Sequence, residues 1–211
     1  MIIKGYIFTY LYIFLIIGFS TLIYKDGKGN ITRKIIHIGV AFYYFIAYKY
    51  FGSSIHVIIP PITFIIINYL SYKKELVKSM EEEKSPGTIY YAISVFILAL
   101  ISYFKPDFYP YFGIGLMVMG LGDGLAPIFA GLIKSKKIYK DKTLTGSLTV
   151  FVVSLIVVIV FNILFGLDLH IGKIIIISGC SLILELFGKK GLDNLTLPIG
   201  VALVSWILGV I

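Results

Sequence analysis

The chain has 211 residues, of which 58% are hydrophobic and 14% charged, and its mean hydropathy is +0.95. Soluble globular domains carry about 25% charged and roughly 45–50% apolar residues, so this composition excludes a water-soluble domain. Membrane topology accounts for the formal net charge of +8, and we expect no nucleic-acid partner. One cysteine and three histidines exclude a disulfide framework and leave little scope for zinc.

Apolar segments follow one another along the chain, each of about the length that a helix needs to cross roughly 30 Å of hydrocarbon. A helix is expected because backbone polar groups in lipid must be satisfied within the segment. The predicted spans are Tyr6–Tyr24, Ile35–Phe51, His56–Tyr72, Thr88–Phe104, Phe108–Ile133, Leu144–Leu167, Leu169–Phe187 and Leu195–Ile211. The predicted fold class is all-α: a polytopic transmembrane helical bundle of about eight spans (seven to nine), forming a single integral membrane domain over residues 1–211.

Basic residues cluster in alternate loops between these spans. Of the 19 lysines and arginines, 15 lie within residues 25–34, 73–84, 134–142 and 189–190. The positive-inside rule places these loops in the cytoplasm, and with eight spans both termini lie outside. The sequence therefore predicts a multi-pass integral membrane protein whose active site faces the cytoplasm, since the polar motifs lie in or beside these loops.

An aspartate interrupts the fifth predicted span. Asp123 lies in the segment Met119–Pro127, and an acid at a helix centre costs about 2.5–3.5 kcal/mol on insertion scales. The flanking Gly122 and Gly124, with Pro127, favour a broken or closely approached helix beside a polar cavity. The alternative is a glycine packing face in which Asp123 is hydrogen-bonded to a neighbour.

A lysine-rich segment precedes the sixth predicted span. Five lysines lie between residues 134 and 142, the last being Lys142, and Thr143, Gly146 and Ser147 then open the helix. The positive field and the expected free amides at this helix N-terminus suit a polyphosphate. The alternative is a topological anchor that contacts anionic membrane lipids.

Other polar groups lie near the ends of predicted spans. Arg33 and His37 share a helical face at the start of the second span. Taken alone, however, Arg33-Lys34 is more typical of a topological signal, and His37 is also compatible with a hydrogen-bonded core residue. Glu185 lies near the end of the seventh span, where an acid needs a partner or water. Asp193-Asn194 precedes the eighth span, where Asp193 is also suited to cap the helix.

Under the predicted topology all these groups converge at one membrane interface. Carboxylates for Mg²⁺, lysines for phosphate and helix amides are the parts that phosphoryl transfer requires. A nucleotide from the cytosol and a lipid head group from the bilayer can meet at such an interface.

Four short motifs occur in order along the chain, over about residues 33 to 200, and together they resemble those of a known family. They are Arg33-Lys-x-x-His37, Gly122-Asp-Gly-Leu-Ala126 with Gly131, Lys142-Thr-x-x-Gly-Ser147, and Glu185 followed by Asp193-Asn-Leu-Thr-x-Pro198. In these motifs the chain resembles the family of CTP-dependent polyprenol kinases, which includes phytol kinase and dolichol kinase and lies near the phosphatidate cytidylyltransferases. One departure is Pro127, which follows Gly124-Leu-Ala where phytol kinases generally carry a second acid.

The resemblance implies a membrane transferase that uses CTP and a divalent metal to phosphorylate the hydroxyl of a lipid alcohol. It points to Asp123 and Asp193 as metal or nucleotide groups, and to Lys142 and Ser147 on the phosphates. In our hypothesis the metal is Mg²⁺, and Asp193 or Glu185 accepts the hydroxyl proton. The other predicted nucleotide- or phosphate-binding residues are Arg33, Lys34, His37, Gly122, Gly124, Thr143, Gly146 and Asn194.

Two other functions fit the same residues. A cytidylyltransferase would make a CDP-lipid from a lipid phosphate and would release pyrophosphate. A small transporter would use Asp123 on a broken helix as its coupling site. The sequence indicates neither the oligomeric state nor the chain length of the lipid.

Overall fold

The computed structural model describes residues 1–24, 29–74, 85–189 and 191–211, with the side chains of residues 29–31 left aside. Lys25, Lys28, Lys78, Lys84 and Lys190, which contribute to the predicted cytoplasmic loops, lie outside the described residues. The helices are α1 (Ile2–Ile23), α2 (Gly29–Ala41), α3 (Tyr43–Tyr50), α4 (Ile59–Lys74), α5 (Gly87–Phe104), α6 (Tyr109–Met117), α7 (Gly124–Leu132), α8 (Leu144–Phe165), α9 (Ile171–Phe187) and α10 (Asp193–Val210).

The predicted all-α transmembrane bundle is confirmed. Within the described ranges, six helical segments are long and apolar enough to cross a membrane. They are Ile2–Ile23, Ile55–Lys74, Gly87–Phe104, Pro106–Leu132, Leu144–Phe165 and Asp193–Val210. The two other predicted spans are also helical, but one is divided and the other is short.

The predicted span Ile35–Phe51 is divided between α2 and α3. The break lies at Phe42, whose backbone N–H donates to the carbonyl of Gly39 at 3.1 Å, a tighter turn than an α-helix makes. The predicted span Leu169–Phe187 corresponds to α9, which has 17 residues. Both segments remain part of the bundle, since α2 packs on α1 and α9 on α8.

The segment from α6 to α7 is the centre of the bundle. Phe112, Ile114, Leu116 and Met119 are fully buried, and their neighbours come from α2, α8 and α10. Residues Val118–Asp123 between the two helices are wound as a π-helix. Wide turns of this kind often occur at functional sites, and this one places Asp123 inside the bundle.

A small hairpin joins α7 to α8. Its antiparallel strands, β1 (Lys137–Tyr139) and β2 (Lys142–Thr143), form the only sheet in the described part of the chain. The hairpin turns at Lys140, whose φ is +47°. Since β2 runs directly into α8, Lys142 is held at the start of that helix.

Candidate active site

The buried aspartate is paired with one side chain of α2 and lies close to another. Lys34 Nζ donates to Asp123 Oδ2, and His37 Nδ1 lies 3.6 Å from the same oxygen. Only 8% of the Asp123 side chain is exposed, so this pairing offsets the cost of placing an acid in the bundle. We call Lys34, His37 and Asp123 the Asp123 cluster.

Glycines on either side of Asp123 let α2 approach this closely. A Cβ atom on Gly120 would lie 2.3 Å from Ala41 Cβ, and one on Gly124 would lie 2.5 Å from Ile38 Cγ1. The predicted close approach of the helix is therefore present, although the helix is π-wound rather than broken. Gly122 contacts Val150 of α8, so both predicted nucleotide-binding glycines, Gly122 and Gly124, face neighbouring helices.

A second group of charges surrounds Lys142. Its Nζ lies 2.6 Å from Glu185 Oε1 and 3.5 Å from Asp193 Oδ2. The second oxygen of Glu185 accepts a hydrogen bond from Ser147 Oγ at 3.1 Å. We call Lys142, Ser147, Glu185 and Asp193 the Lys142 cluster.

The Lys142 cluster keeps its lysine charged. Burial lowers the pKa of Lys142, but the ion pair and hydrogen bond with Glu185 and the charges of Asp193 and Asp123 more than offset that effect. The net result is a pKa raised above the ordinary value for lysine. A lysine that is cationic at neutral pH therefore lies at the start of α8, where its charge can attract phosphate oxygens.

The expectation of free amides at the start of α8 is wrong for the first turn. The N–H of Gly146 donates to Thr143 Oγ1 at 3.2 Å, so Thr143 acts as the N-cap of the helix. The N–H of Thr145 donates to Ser135 Oγ at 3.0 Å. Polar side chains close to the helix satisfy these amides, and they are not available to a ligand.

The two clusters share a cavity of about 480 Å³. Residues of both line it, together with the other predicted groups at this end of the bundle. They include Arg33, Lys34, Asp123, Lys142, Asp193 and Asn194. A second cavity of about 370 Å³ also involves Lys34, Asp123 and Lys142, and adds Thr143, Gly146 and Glu185. Volumes of this order are typical of small-molecule sites.

Two residues predicted to bind the nucleotide do not have the position or the contacts that the sequence led us to expect. His37 lies behind Asp123 and does not line either of these cavities. Asn194 lines the larger cavity, but its Nδ2 donates to the carbonyl of Gly87 at 2.8 Å and ties α10 to α5. Tyr139 and Lys189 also line it and were not singled out, because an aromatic residue among lysines and a lysine after a span have no distinctive pattern.

Asp123 and Asp193 are suited to bind a metal ion whose other ligands are phosphate oxygens and water, rather than an ion coordinated by protein side chains alone. In the described part of the chain, no three His, Cys, Asp or Glu side chains are grouped to hold a metal ion. Mg²⁺ usually takes one or two protein carboxylates and completes its shell with phosphate oxygens and water. Asp123 and Asp193, on different helices around one cavity, meet that requirement.

Sequence comparison with known proteins assigns the chain to a family. No family model and no solved structure matches it. It is 32% identical over 190 residues to the phytol kinase of a Synechocystis species, covering 85% of this chain and 80% of that protein. It is also 31% identical over 193 residues to an uncharacterised protein of Methanocaldococcus jannaschii, covering 90% and 85% respectively. With this identity over most of both chains, the protein belongs to the phytol kinase-like family of multi-pass membrane proteins.

Proposed function

We propose that the protein is a membrane-embedded kinase that transfers the terminal phosphoryl group of CTP to the hydroxyl of a lipid alcohol of the phytol, polyprenol or dolichol type. The observation that carries the proposal is the cavity shared by the two clusters, in a chain 32% identical to a phytol kinase. Such a site combines fixed positive charge with carboxylates at one end of a lipid-embedded bundle. The choice of CTP as donor follows from the family resemblance.

Lysines of both clusters are the groups proposed to bind the phosphates. Lys142 and Lys34 lie on the cavity wall, on β2 and α2 respectively, and Arg33 lies beside them. Because phosphoryl transfer needs little covalent help from the protein, stabilising charge on the transferred oxygens is its main contribution. Ser147 acts indirectly, since its hydroxyl orients Glu185, which in turn positions Lys142.

Asp123 and Asp193 are the residues proposed to hold Mg²⁺. When bound, the metal ion would supply positive charge to the phosphate oxygens. The rest of the site is arranged so that each of these carboxylates also has a lysine neighbour, Lys34 for Asp123 and Lys142 for Asp193.

Of the two candidate acceptors for the hydroxyl proton, Asp193 is the better placed. Both oxygens of Glu185 are engaged, one by Lys142 and the other by Ser147. Asp193 lines the larger cavity, and its Oδ2 lies 3.5 Å from Lys142 Nζ. We place this site at the cytoplasmic side of the membrane because most of the basic residues of the sequence belong to the loops at this end.

The test is an assay of the purified protein with radiolabelled CTP, Mg²⁺ and a panel of prenols, polyprenols and diacylglycerol. We expect CDP and a lipid monophosphate as products, with ATP a poorer donor. Pyrophosphate and a CDP-lipid as products would instead identify a cytidylyltransferase and overturn the proposal. Flux of a substrate into liposomes without nucleotide turnover would favour a transporter.

A further inference from the structure

A third cavity lies beside His37, on the other side of that side chain from the two cavities of the candidate active site. It has a volume of about 50 Å³ and is enclosed by residues of α1 to α5. Most of its wall is apolar, with side chains such as Ile13, Phe64 and Val95. His37, Asn68 and Thr88 form its polar part. None of the residues lining it also lines the two cavities of the candidate active site.

Three buried side-chain atoms of residues that line this cavity have no hydrogen-bond partner within the described ranges. One is His37 Nδ1, 3.6 Å from Asp123 Oδ2; the others are His37 Nε2 and Thr88 Oγ1, in residues that are 1% and 4% exposed. An unsatisfied buried polar group costs about 1–3 kcal/mol. Both residues have their backbone carbonyls bonded, to the hydroxyl of Tyr91 and the amide of Asn68, so only the side-chain atoms are available.

The partly exposed residues of the cavity wall lie mainly on α1 and α4. Ile17 of α1 and Phe64 and Asn68 of α4 are half-buried, whereas the α5 residues Ala92 and Val95 are buried. Further along the same two helices, away from His37, the hydroxyl groups of Tyr10 and Thr63 are hydrogen-bonded at 3.0 Å. This partly exposed side, beside the polar end of the cavity, is the side from which we infer that a lipid chain enters.

A lipid alcohol carries the hydrogen-bonding group that the unpaired atoms of this cavity need. A single hydroxyl group can donate one hydrogen bond and accept another, which would satisfy His37 Nε2 and Thr88 Oγ1 together. The apolar wall suits the carbons next to that hydroxyl. A cavity needs about 10–15 Å³ for each water-sized group, so this one has room for the hydroxyl and the first carbons only.

We propose that this cavity binds the hydroxyl end of a lipid alcohol, with His37 Nε2 and Thr88 Oγ1 as hydrogen-bond partners and the chain leaving between α1 and α4. The inference rests on the proposed function and assigns its acceptor site. His37 forms the boundary between the two sites, because its ring lines this cavity and its Nδ1 lies 3.6 Å from Asp123 Oδ2. The cavity therefore holds the alcohol before transfer, and the hydroxyl has to pass His37 to reach the cavity shared by the two clusters, where Asp193 lies.

The first test blocks the inferred entrance. Ile17→Trp places a large ring at the entrance, and Ile66→Trp is the matched control because Ile66, on α4, is 55% exposed and does not line the cavity. Ile17→Trp is expected to raise the KM for a C20 prenol about tenfold or more, a loss of about 1.4 kcal/mol in binding, while the KM for CTP stays unchanged. Equal KM values for the prenol in both variants would overturn the assignment.

The second test does not depend on activity. A C20 prenol carrying a photoreactive diazirine is cross-linked to the wild-type protein without nucleotide, and the labelled peptides are identified by mass spectrometry. Labels are expected on α1, α4 and α5, and a prenol should compete better than the corresponding hydrocarbon. In Thr88→Val, which keeps the shape but loses the hydroxyl, that advantage should fall. Labels only on other helices, or equal competition by the hydrocarbon, would overturn the inference.

The two proposals fail differently. If the wild-type protein phosphorylates no lipid alcohol with any nucleotide, the proposed function is wrong. If it phosphorylates a prenol but Ile17→Trp and Thr88→Val behave as wild type and the labels lie elsewhere, the kinase stands and only this acceptor site is wrong.

Discussion

The two charged clusters differ in the exposure of their lysine and in the balance of charge. In the Asp123 cluster one acid is paired with one lysine beside His37, and Lys34 and Asp123 are 12% and 8% exposed. In the Lys142 cluster one lysine faces two acids; the lysine is 26% exposed, whereas Glu185 and Asp193 are 5% and 13% exposed. Removing one partner of a buried pair leaves an unpaired charge and costs about 3–5 kcal/mol, whereas a more exposed charge is stabilised by water.

This difference suggests a division of roles. The Asp123 cluster is a rigid element in which neither charge can leave the other without a large penalty. Lys142 already divides its contacts between Glu185 at 2.6 Å and Asp193 at 3.5 Å. It can therefore exchange a carboxylate for a phosphate at smaller cost. Variants of the two clusters should accordingly affect different properties of the protein.

The largest effect is expected for Asp123→Asn. The substitution removes a proposed metal ligand and leaves Lys34 without its anion, so kcat should fall about 1,000-fold and the protein should also unfold at lower temperature. Product formation against Mg²⁺ concentration and thermal unfolding in detergent are the measurements. Asp107→Asn is the control because Asp107 is exposed in the turn Pro106–Phe108, outside the clusters. Full activity with normal metal dependence would show that Asp123 has only a packing role.

Asp193→Asn should lower kcat at least about 100-fold while leaving the unfolding temperature near that of wild type, because it removes the proposed proton acceptor, a role that contributes about that factor, together with a proposed metal ligand. Glu185→Gln is the matched comparison within the same cluster. It keeps the shape and weakens the contacts with Lys142 and Ser147, so we expect a smaller loss of kcat and a lower unfolding temperature. The reverse order of the two kcat values would make Glu185 the proton acceptor.

Lys142→Met should raise the KM for CTP about tenfold or more, since a hydrogen bond to a charged group contributes about 1.5–3 kcal/mol. Lys137→Met is the control, because Lys137 lies on the same hairpin with its side chain 68% exposed. The raised pKa of Lys142 adds a pH test. The lysine is protonated below that pKa, so its contribution to CTP binding should persist from pH 7 to about 10 and be lost only above the ordinary lysine range. A KM for CTP that is the same in Lys142→Met and Lys137→Met would remove Lys142 from the nucleotide site.

The sequence was sufficient to predict the bundle and the grouping of charged residues from distant segments. Long apolar segments and alternating basic loops specify a helical membrane protein, and an acid such as Asp123 in an apolar run marks a position that needs a partner. The identity of that partner could not be predicted. Lys34 is a topological signal in the sequence, and only the close packing of α2 on the π-helix brings it to Asp123. The small cavity beside His37 escaped prediction as well, because Thr88 carries no charge.

The start of α8 is another place where the sequence did not reveal the hydrogen-bond partners. A substitution there is expected to have the smallest effect on activity. The sequence Thr143–Ser147 is compatible with amides directed at a phosphate or with a capped helix, and the structure has the capped helix. Thr143→Ala should therefore cost about 1 kcal/mol of stability, with kcat and the KM for CTP near wild type in the folded protein. Thr149→Ala is the control, since its hydroxyl bonds only to the carbonyl of Thr145 within the same helix. If Thr143→Ala instead raised the KM for CTP with unchanged stability, the hydroxyl would belong to the nucleotide site, and the amides of α8 would become available to phosphate when the ligand binds.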